Sequence, residues 1–392
     1  MKYKLKNIFD LQMGKTPSRN NTNYWNTNDY EWISIADLSK TEKYITDTKE
    51  YLSTLAIEES GIKVIPANTV VMSFKLSIGK TAITGKDMYC NEAIMAFHDK
   101  HVVDILPEYI YYMFKYRNWD NGSNKAVMGK TLNKSTLSEV EIDICSIEKQ
   151  KEIVTVLDKV MESLSSRKKE LALFDELVRG RFVEMFGDPY INEFGWKKIK
   201  IKNAVTVEPQ NGMYKPQSDY VTDGSGIPIL RIDGFYNGVV TDFSSLKRLK
   251  CSENERKKYL LYEDDVVINR VNSIEYLGKC AHINGLLEDT VYESNMMRMH
   301  FDSTRFHPVY VCRLLCSRFV YDQIVNHAKQ AVNQASINQK DVLDFEIYEP
   351  PLKLQTKFSD FVYQVNKSKL IVQKELDETQ LLFDSLMQEY FG

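Results

Sequence analysis

A shift of about 196 residues lays this 392-residue chain on itself. KLKN (Lys4 to Asn7) falls on KIKN (Lys200 to Asn203), Asp37 on Asp233, and Val70 and Val71 on Val266 and Val267. Further along, the offset grows to about 199 where IGKTAI (Ile78 to Ile83) meets LGKCAHI (Leu277 to Ile283). It reaches about 205 where TLNKSTLSEVEIDI (Thr131 to Ile144) meets SINQKDVLDFEIYE (Ser336 to Glu349). Collinear matches with a drifting offset are what a duplicated unit leaves when its loops differ in length. The chain must therefore build one fold twice.

Each repeat reads as a globule followed by a long helix. The globules, residues 1–147 and 188–351, mix short strand-like runs such as VIPANTVVMSF with Gly, Asn, Pro and Asp turns and a helix such as LPEYIYYMFKYR, an α+β pattern. The helices, 148–187 and 352–392, are different in kind: the first has no proline and Gly180 as its sole interior glycine. Apolar residues recur in a 4-3-4-3 rhythm at Ile153, Leu157, Val160, Leu164, Leu171, Phe174, Val178 and Met185, broken by Arg167 and Arg181. In the second helix they fall at Phe358, Val362, Val365, Val372, Leu376, Phe383, Leu386 and Tyr390, broken by Lys369 and Thr379. A 3.5-residue period keeps one narrow seam turned toward a partner helix, so the two seams are expected to face each other as an antiparallel, pseudo-twofold coiled coil. At 1.5 Å per residue such a helix is roughly 57 Å long, which makes it a spacer. EMFG (Glu184 to Gly187) and EYFG (Glu389 to Gly392) close the two helices, so the chain is expected to end where its second unit is complete.

Composition narrows the function classes. An apolar fraction of 43% supplies real cores, and the length allows two or three domains. MKYKLKNIFD lacks an apolar signal region and no long apolar run occurs, so a cytoplasmic location is expected. The six cysteines are scattered and read as reduced thiols, with Cys312 and Cys316 on one face of a helix and no partner set for zinc. A net charge of −3 lacks the basic surplus usual in nucleic-acid binders, but the charge is unevenly spread.

The uneven stretches occur at matching places in the two repeats. Ile62 to Lys86 holds Lys63, Lys75, Lys80 and Lys86 with no acid, and Arg117 to Ser135 sets Arg117, Lys125, Lys130 and Lys134 against one Asp. In the second repeat, Asn326 to Lys340 is acid-free and rich in Asn and Gln, and INRVNS offers Arg270 between Asn269 and Asn272. GKTPSRN (Gly14 to Asn20) and GMYKPQS (Gly212 to Ser218) are matched, shaped turns. Side chains of these kinds on loops suit phosphates and base edges of DNA. The candidates are Lys15, Ser18, Arg19, Lys75, Ser77, Lys80, Lys130, Asn133 and Lys134 in the first repeat. In the second they are Tyr214, Lys215, Arg231, Asn269, Arg270, Asn272, Asn333, Gln334 and Asn338. Two similar but unequal heads on a rigid spacer would suit an asymmetric site with an unread gap.

The order GKTPSRNNTNYW, EWISIADLS, NTVVMSFKLSIGKTAI and LNKSTLSEVEIDICSIEKQKEIVTVLDKV resembles the specificity subunits of type I restriction-modification systems, as does QASINQKDVLDFEIYEPPLKLQTKFSDFV. The likeness spans essentially the whole chain. Its most characteristic element is the step into the second helix, Pro350, Pro351, Leu352 and Gln355; the first repeat has Cys145 and Ser146 for the prolines and keeps Ile147 and Gln150. The resemblance implies two target-recognition domains that each read half of a bipartite DNA site. It also implies helices that act as a ruler and dock two methyltransferase subunits, and restriction subunits through them. S-adenosylmethionine, ATP and magnesium would then belong to those partners, with no cofactor or metal in this chain and no catalytic residue of its own.

The residues themselves offer little chemistry. GDPYIN (Gly187 to Asn192) has one proline where an amino-methyltransferase motif has two. GKTAITGKD (Gly79 to Asp87) has Asp87 where a P-loop needs Ser or Thr. The six histidines show no metal-ligand spacing. Two other readings stay open at this point: a self-contained restriction or methylation enzyme with a diverged site, and a coiled-coil interaction scaffold without a DNA role.

Overall fold

The computed structural model describes residues 1–392 apart from 76, 120–123, 127, 128, 241 and 333, and apart from the side chains of 26, 124–126 and 129–131. The elements of the first repeat that recur are β1 (Lys2–Lys4), β2 (Phe9–Met13), β3 (Tyr44–Ile45), β4 (Val70–Ser73), β5 (Thr81–Thr84), β6 (Ile94–Asp99), α1 (Pro107–Tyr116), α2 (Lys134–Ser138) and β7 (Glu141–Asp143). The long helix α3 (Ile147–Phe186) follows. Their counterparts are β8 (Lys197–Lys200), β9 (Val205–Asn211), the added β10 (Phe235–Tyr236), β11 (Gly238–Val240), β12 (Val266–Asn269), β13 (Cys280–His282), β14 (Met296–Phe301), α4 (Pro308–Leu315), α5 (Gln339–Asp344) and β15 (Glu346–Glu349). The second long helix, α6 (Leu352–Phe391), closes the sequence.

The main sheets have the same topology. The first runs β2-β6-β4-β5-β3, antiparallel except for the parallel pair β3 and β5. The second runs β9-β14-β12-β13-β11-β10, with β11 and β13 as the parallel pair. A separate two-stranded ladder ties the start of each globule to its end, β1 to β7 with Tyr3 opposite Ile142, and β8 to β15 with Ile199 opposite Ile347. The central strands VVMS and VVIN are buried on both faces, as β-branched runs in covered strands are. Alternation sends Val70 and Met72 into one core and Val71 into another, and does the same with Val266, Ile268 and Val267. Both covering helices, α1 and α4, begin on a proline, whose missing N–H is harmless in a first turn.

The chain forms two compact units, Met1–Lys168 with Lys374–Gly392, and Lys169–Gln373. Each holds one globule and one half of each long helix. In the first unit, Ile153, Leu157 and Leu164 of α3 share a core with Tyr112 of α1 and with Phe383 and Met387 of α6. In the second, Phe182 and Phe186 of α3 meet Phe358 of α6 at ring separations of 5.5 Å, and Phe186 meets Tyr310 of α4 at 4.6 Å. The helix halves run antiparallel in both units: Lys149 lies by Glu389 and Tyr390 while Arg167 pairs with Glu375 at 3.3 Å. Likewise Phe186 meets Phe358 while Asp175 pairs with Lys369 at 2.8 Å. Two of the polar breaks in the stripe, Arg167 and Lys369, are thus ion pairs across the helices, a device that fixes register.

The expected seam is present, and wider than expected. Ile153, Leu157, Leu164, Val178, Phe358, Val362, Val365, Val372 and Phe383 are buried, and Val160, Phe174, Met185, Leu376, Leu386 and Tyr390 are half-buried against the two cores. Leu171 is half-buried outside those cores. Phe182, Phe186 and Met387 are buried outside the strict 4-3 pattern, because each helix widens its apolar face where it lies on a globule as well as on the other helix.

One device secures each long helix to its globule. Gln150, fully buried, accepts the Leu106 N–H at 2.9 Å and donates to the carbonyls of Asp104 at 2.9 Å and Cys145 at 3.0 Å. Gln355, equally buried, accepts the His307 N–H at 2.8 Å and donates to the carbonyls of Arg305 at 2.9 Å and Pro350 at 2.8 Å. The two helix starts, CSIEKQ and PPLKLQ, are therefore held alike although only one has the prolines. Among the described residues no helix is long and apolar enough to cross a membrane. All six cysteines are free. The sulfurs of buried Cys280 and exposed Cys316 lie 3.4 Å apart, and hydrogen bonding, of Cys280 with Cys312 and of Cys316 with Cys280, pushes both thiols well above their ordinary range.

Candidate nucleic-acid interface

The candidate loops leave the sheets at equivalent points. Gly14 follows β2 and Gly212 follows β9; their N–H groups donate to Ile94 O at 3.0 Å and Met296 O at 3.1 Å. A Cβ at either position would lie 2.2 Å from a neighbouring backbone carbonyl, Asn91 O or Glu293 O, so only glycine lets the strands approach. Beyond the glycines the loops diverge. Lys15 donates through Nζ to Ser60 O, and its own carbonyl accepts from Trp32 Nε1 at 3.1 Å. Arg19 lies 3.8 Å over Trp25 and binds both oxygens of Glu50. Ser18 is exposed and its carbonyl accepts from Trp25 Nε1 at 3.2 Å. In the second repeat Tyr214 stands 78% exposed. Lys215 turns inward to Glu255 at 2.9 Å, and that bond holds the Glu255 carboxyl down at about 2.

The end of the central hairpin is the second shared feature. In the first unit, Ser73 donates to Ser77 O at 2.6 Å and accepts the Lys80 N–H at 3.0 Å, which closes the loop on itself. Ser77 takes a left-handed φ of 49° in that turn. Lys75 lies 5.3 Å over Phe74, and among the described residues Lys75, Lys80 and Lys134 form no salt bridge. In the second unit, Arg270 donates to Ser294 O at 3.1 Å, and Asn272 Oδ1 accepts the Ser273 N–H at 2.8 Å. Arg231 bonds Tyr220 at 3.0 Å and lies 3.8 Å from Glu293, whose carboxyl burial pushes up.

Three expectations need correction. Asn269 is fully buried at the end of β12, not exposed on a loop, because the strand runs one residue past its apolar stretch. Asn133 and Asn338 are the N-caps of α2 and α5, where their side-chain oxygens accept Thr136 N–H at 2.8 Å and Asp341 N–H at 3.1 Å. Those acceptors are already used. Gln334 is exposed, with its carbonyl accepting the Ala331 N–H at 2.7 Å. Lys130, as a side chain, and Asn333 lie outside the described residues.

Comparison with known proteins bears on the whole arrangement. Residues 1–173 match the type I restriction modification DNA specificity domain. The chain is 25% identical to the type I restriction enzyme MjaIX specificity subunit of Methanocaldococcus jannaschii, over 98% of this chain and 90% of that one. It is 23% identical to the EcoKI specificity subunit of Escherichia coli K12, over 70% of this chain and 61% of that one. The S subunit of a type I restriction-modification system from M. genitalium has the same fold, at a TM-score of 0.58 and 14% identity, covering 100% of this chain and 96% of the other. Residues 1–173 thus match a DNA specificity domain, and over nearly its whole length the chain is similar to the specificity subunits of type I restriction-modification systems.

Sequence reasoning passed over Lys279. Its Nζ lies 3.8 Å over Tyr236 and donates to Ile232 O at 2.7 Å, and burial lowers its pKa. The signal was available, since the repeat itself lays Lys80 on Lys279. Tyr236 belongs to β10, which has no counterpart in the first sheet, so no internal match could reveal it.

Proposed function

We propose that each unit of this specificity subunit reads one half of a bipartite, asymmetric DNA site. The first would use the loops around 14–19, 73–80 and 130–134, and the second those around 212–217, 231, 269–279 and 333–338. The observation that carries this reading is a five-strand order repeated in both sheets whose central hairpins share a lysine, Lys80 and Lys279, but otherwise end on different side chains, Ser73 and Phe74 in one and Asn269 and Arg270 in the other. The two long helices would set the length of unread DNA and dock two methyltransferase subunits, with restriction subunits bound through those. This subunit is then non-catalytic and acts in the cytoplasm, and S-adenosylmethionine, ATP and magnesium are handled by its partners. With a net charge of −3, the isolated subunit would bind DNA weakly and draw much of its electrostatic attraction from the partners.

Half-site discrimination by the complex with its methylating partner tests the assignment. Arg270→Ala is expected to relax recognition in one half-site only, by about 1 to 3 kcal/mol if the guanidinium reads a base. Lys75→Ala and Lys80→Ala are expected to weaken binding through the other half and to flatten its salt dependence. If every substitution disturbs both halves equally, one unit does not serve one half-site.

A further inference from the structure

One side chain in the second unit is buried without partners. Asn269 is 0% exposed, and neither its Oδ1 nor its Nδ2 has a hydrogen-bond partner among the described residues. Its backbone is fully engaged, donating to Lys279 O at 2.8 Å and accepting from Gly278 N–H at 3.0 Å. The next residue, Arg270, also leaves its Nε without a partner. An unmet buried amide opposes folding, and most folds remove one. This one does so elsewhere: Gln355, as deeply buried, makes three hydrogen bonds. So does the first unit at the same place, where the Ser73 hydroxyl ties its own loop closed through Ser77 and Lys80.

Position gives the orphan amide a role. Asn269 is the last residue of β12 in the main sheet, opposite Met296. Two residues on, Val271 and Asn272 leave that sheet and pair with Ser336 and Ala335 of the neighbouring hairpin. Asn269 therefore stands where the scaffold hands over to the two loops that carry Arg270, Asn272 and Gln334. In the first unit the hydroxyl at this branch is already committed; in the second the amide is held in reserve.

We propose that Asn269 is a positioning residue for recognition by the second unit: its amide gains its hydrogen bonds when the loop from Arg270 to Lys279 closes on duplex DNA. The proposal rests on the reading of that unit as the reader of one half-site. Bonds that form only in the complex favour the correct half-site and do nothing for the free subunit. The free subunit would thus be less stable than its packing allows, and the difference would reappear as discrimination.

The test uses the full-length subunit with Asn269→Leu, which has similar volume and no polar atoms, and Asn269→Ser, the residue of the first repeat. Thermal unfolding is measured on the subunit alone. Binding is measured on its complex with the methylating partner, using duplexes altered in one half-site at a time. Asn269→Leu is expected to raise Tm and to lower discrimination at the second unit's half-site by about tenfold or more, leaving the other half-site within about twofold. Asn269→Ser is expected to fold and to show the same one-sided loss, and it decides the matter if the leucine variant does not fold. A lowered Tm for a folded Asn269→Leu would mean that the amide is already satisfied, and unchanged discrimination in either variant would mean that it is idle; each overturns the proposal. A wild-type complex that ignores changes in both half-sites would sink the half-site reading, and this proposal with it.

Discussion

The start of each long helix and the end of each central hairpin lie in the same units, yet they have diverged in opposite ways. At the helix starts, Gln150 and Gln355 hold equivalent backbone groups with three hydrogen bonds each. At the hairpin ends, Ser73 is satisfied by its own loop and Asn269 by nothing among the described residues. Both pairs descend from one duplicated plan, so the difference reports what each place is for. Where a buried polar group must hold a helix on a globule, its geometry is repeated almost atom for atom. Where, on the proposed reading, a loop faces a half-site that differs between the units, the side chains part.

The largest effect should come from the repeated end of that comparison. Gln150→Ala removes the partner of an N–H and two carbonyls at a partly buried helix start, and Gln355→Ala does the same in the second unit, so each is expected to lower stability on the order of 3 kcal/mol in denaturant unfolding. Equal losses would sharpen the contrast with the hairpin ends, where Asn269→Leu is expected to stabilise. A silent glutamine in either unit would break it.

A smaller effect should appear in acid at the loop that carries Lys215. Glu255 accepts from Lys215 and from the Ser252 N–H at 2.8 Å, and its folded-state value of about 2 lies below the ordinary 4.5. A carboxylate depressed in this way contributes above its unfolded value and loses that contribution as pH falls toward the folded one. In the matched loop of the first unit the lysine sits at a different position, and Lys15 donates to a carbonyl, which does not titrate in this range. Hydrogen exchange at Ser252 should stay slow down to about pH 4.5 and quicken between there and about 2. Loss of protection well above that window would show that the pair does not anchor the loop.

Much of the architecture was legible in the sequence because it rests on periodicity. The repeat, the helix limits to within a residue and most of the seam follow from spacing alone. Phe182 and Phe186 escaped because they serve the contact of α3 with the globule of the second unit, which no heptad records. Asn133 and Asn338 were read as base-edge groups since an N-cap asparagine and an exposed loop asparagine look alike in a polar stretch. INRVNS hid the burial of Asn269 for a related reason: a strand that ends on a polar residue gives no alternation to mark its last position inside the core.

The central claim is that the two units are one reader written twice, with half-site identity carried by what differs between them. Replacing the second globule by another copy of the first, joined at the equivalent glutamines, and sequencing methylated sites in cells that carry the methylating and restriction partners tests it most directly. The account predicts that both halves of the modified site then contain the same bases, those previously assigned to the first unit. A hybrid that assembles with its partners and still marks the original asymmetric site would contradict it.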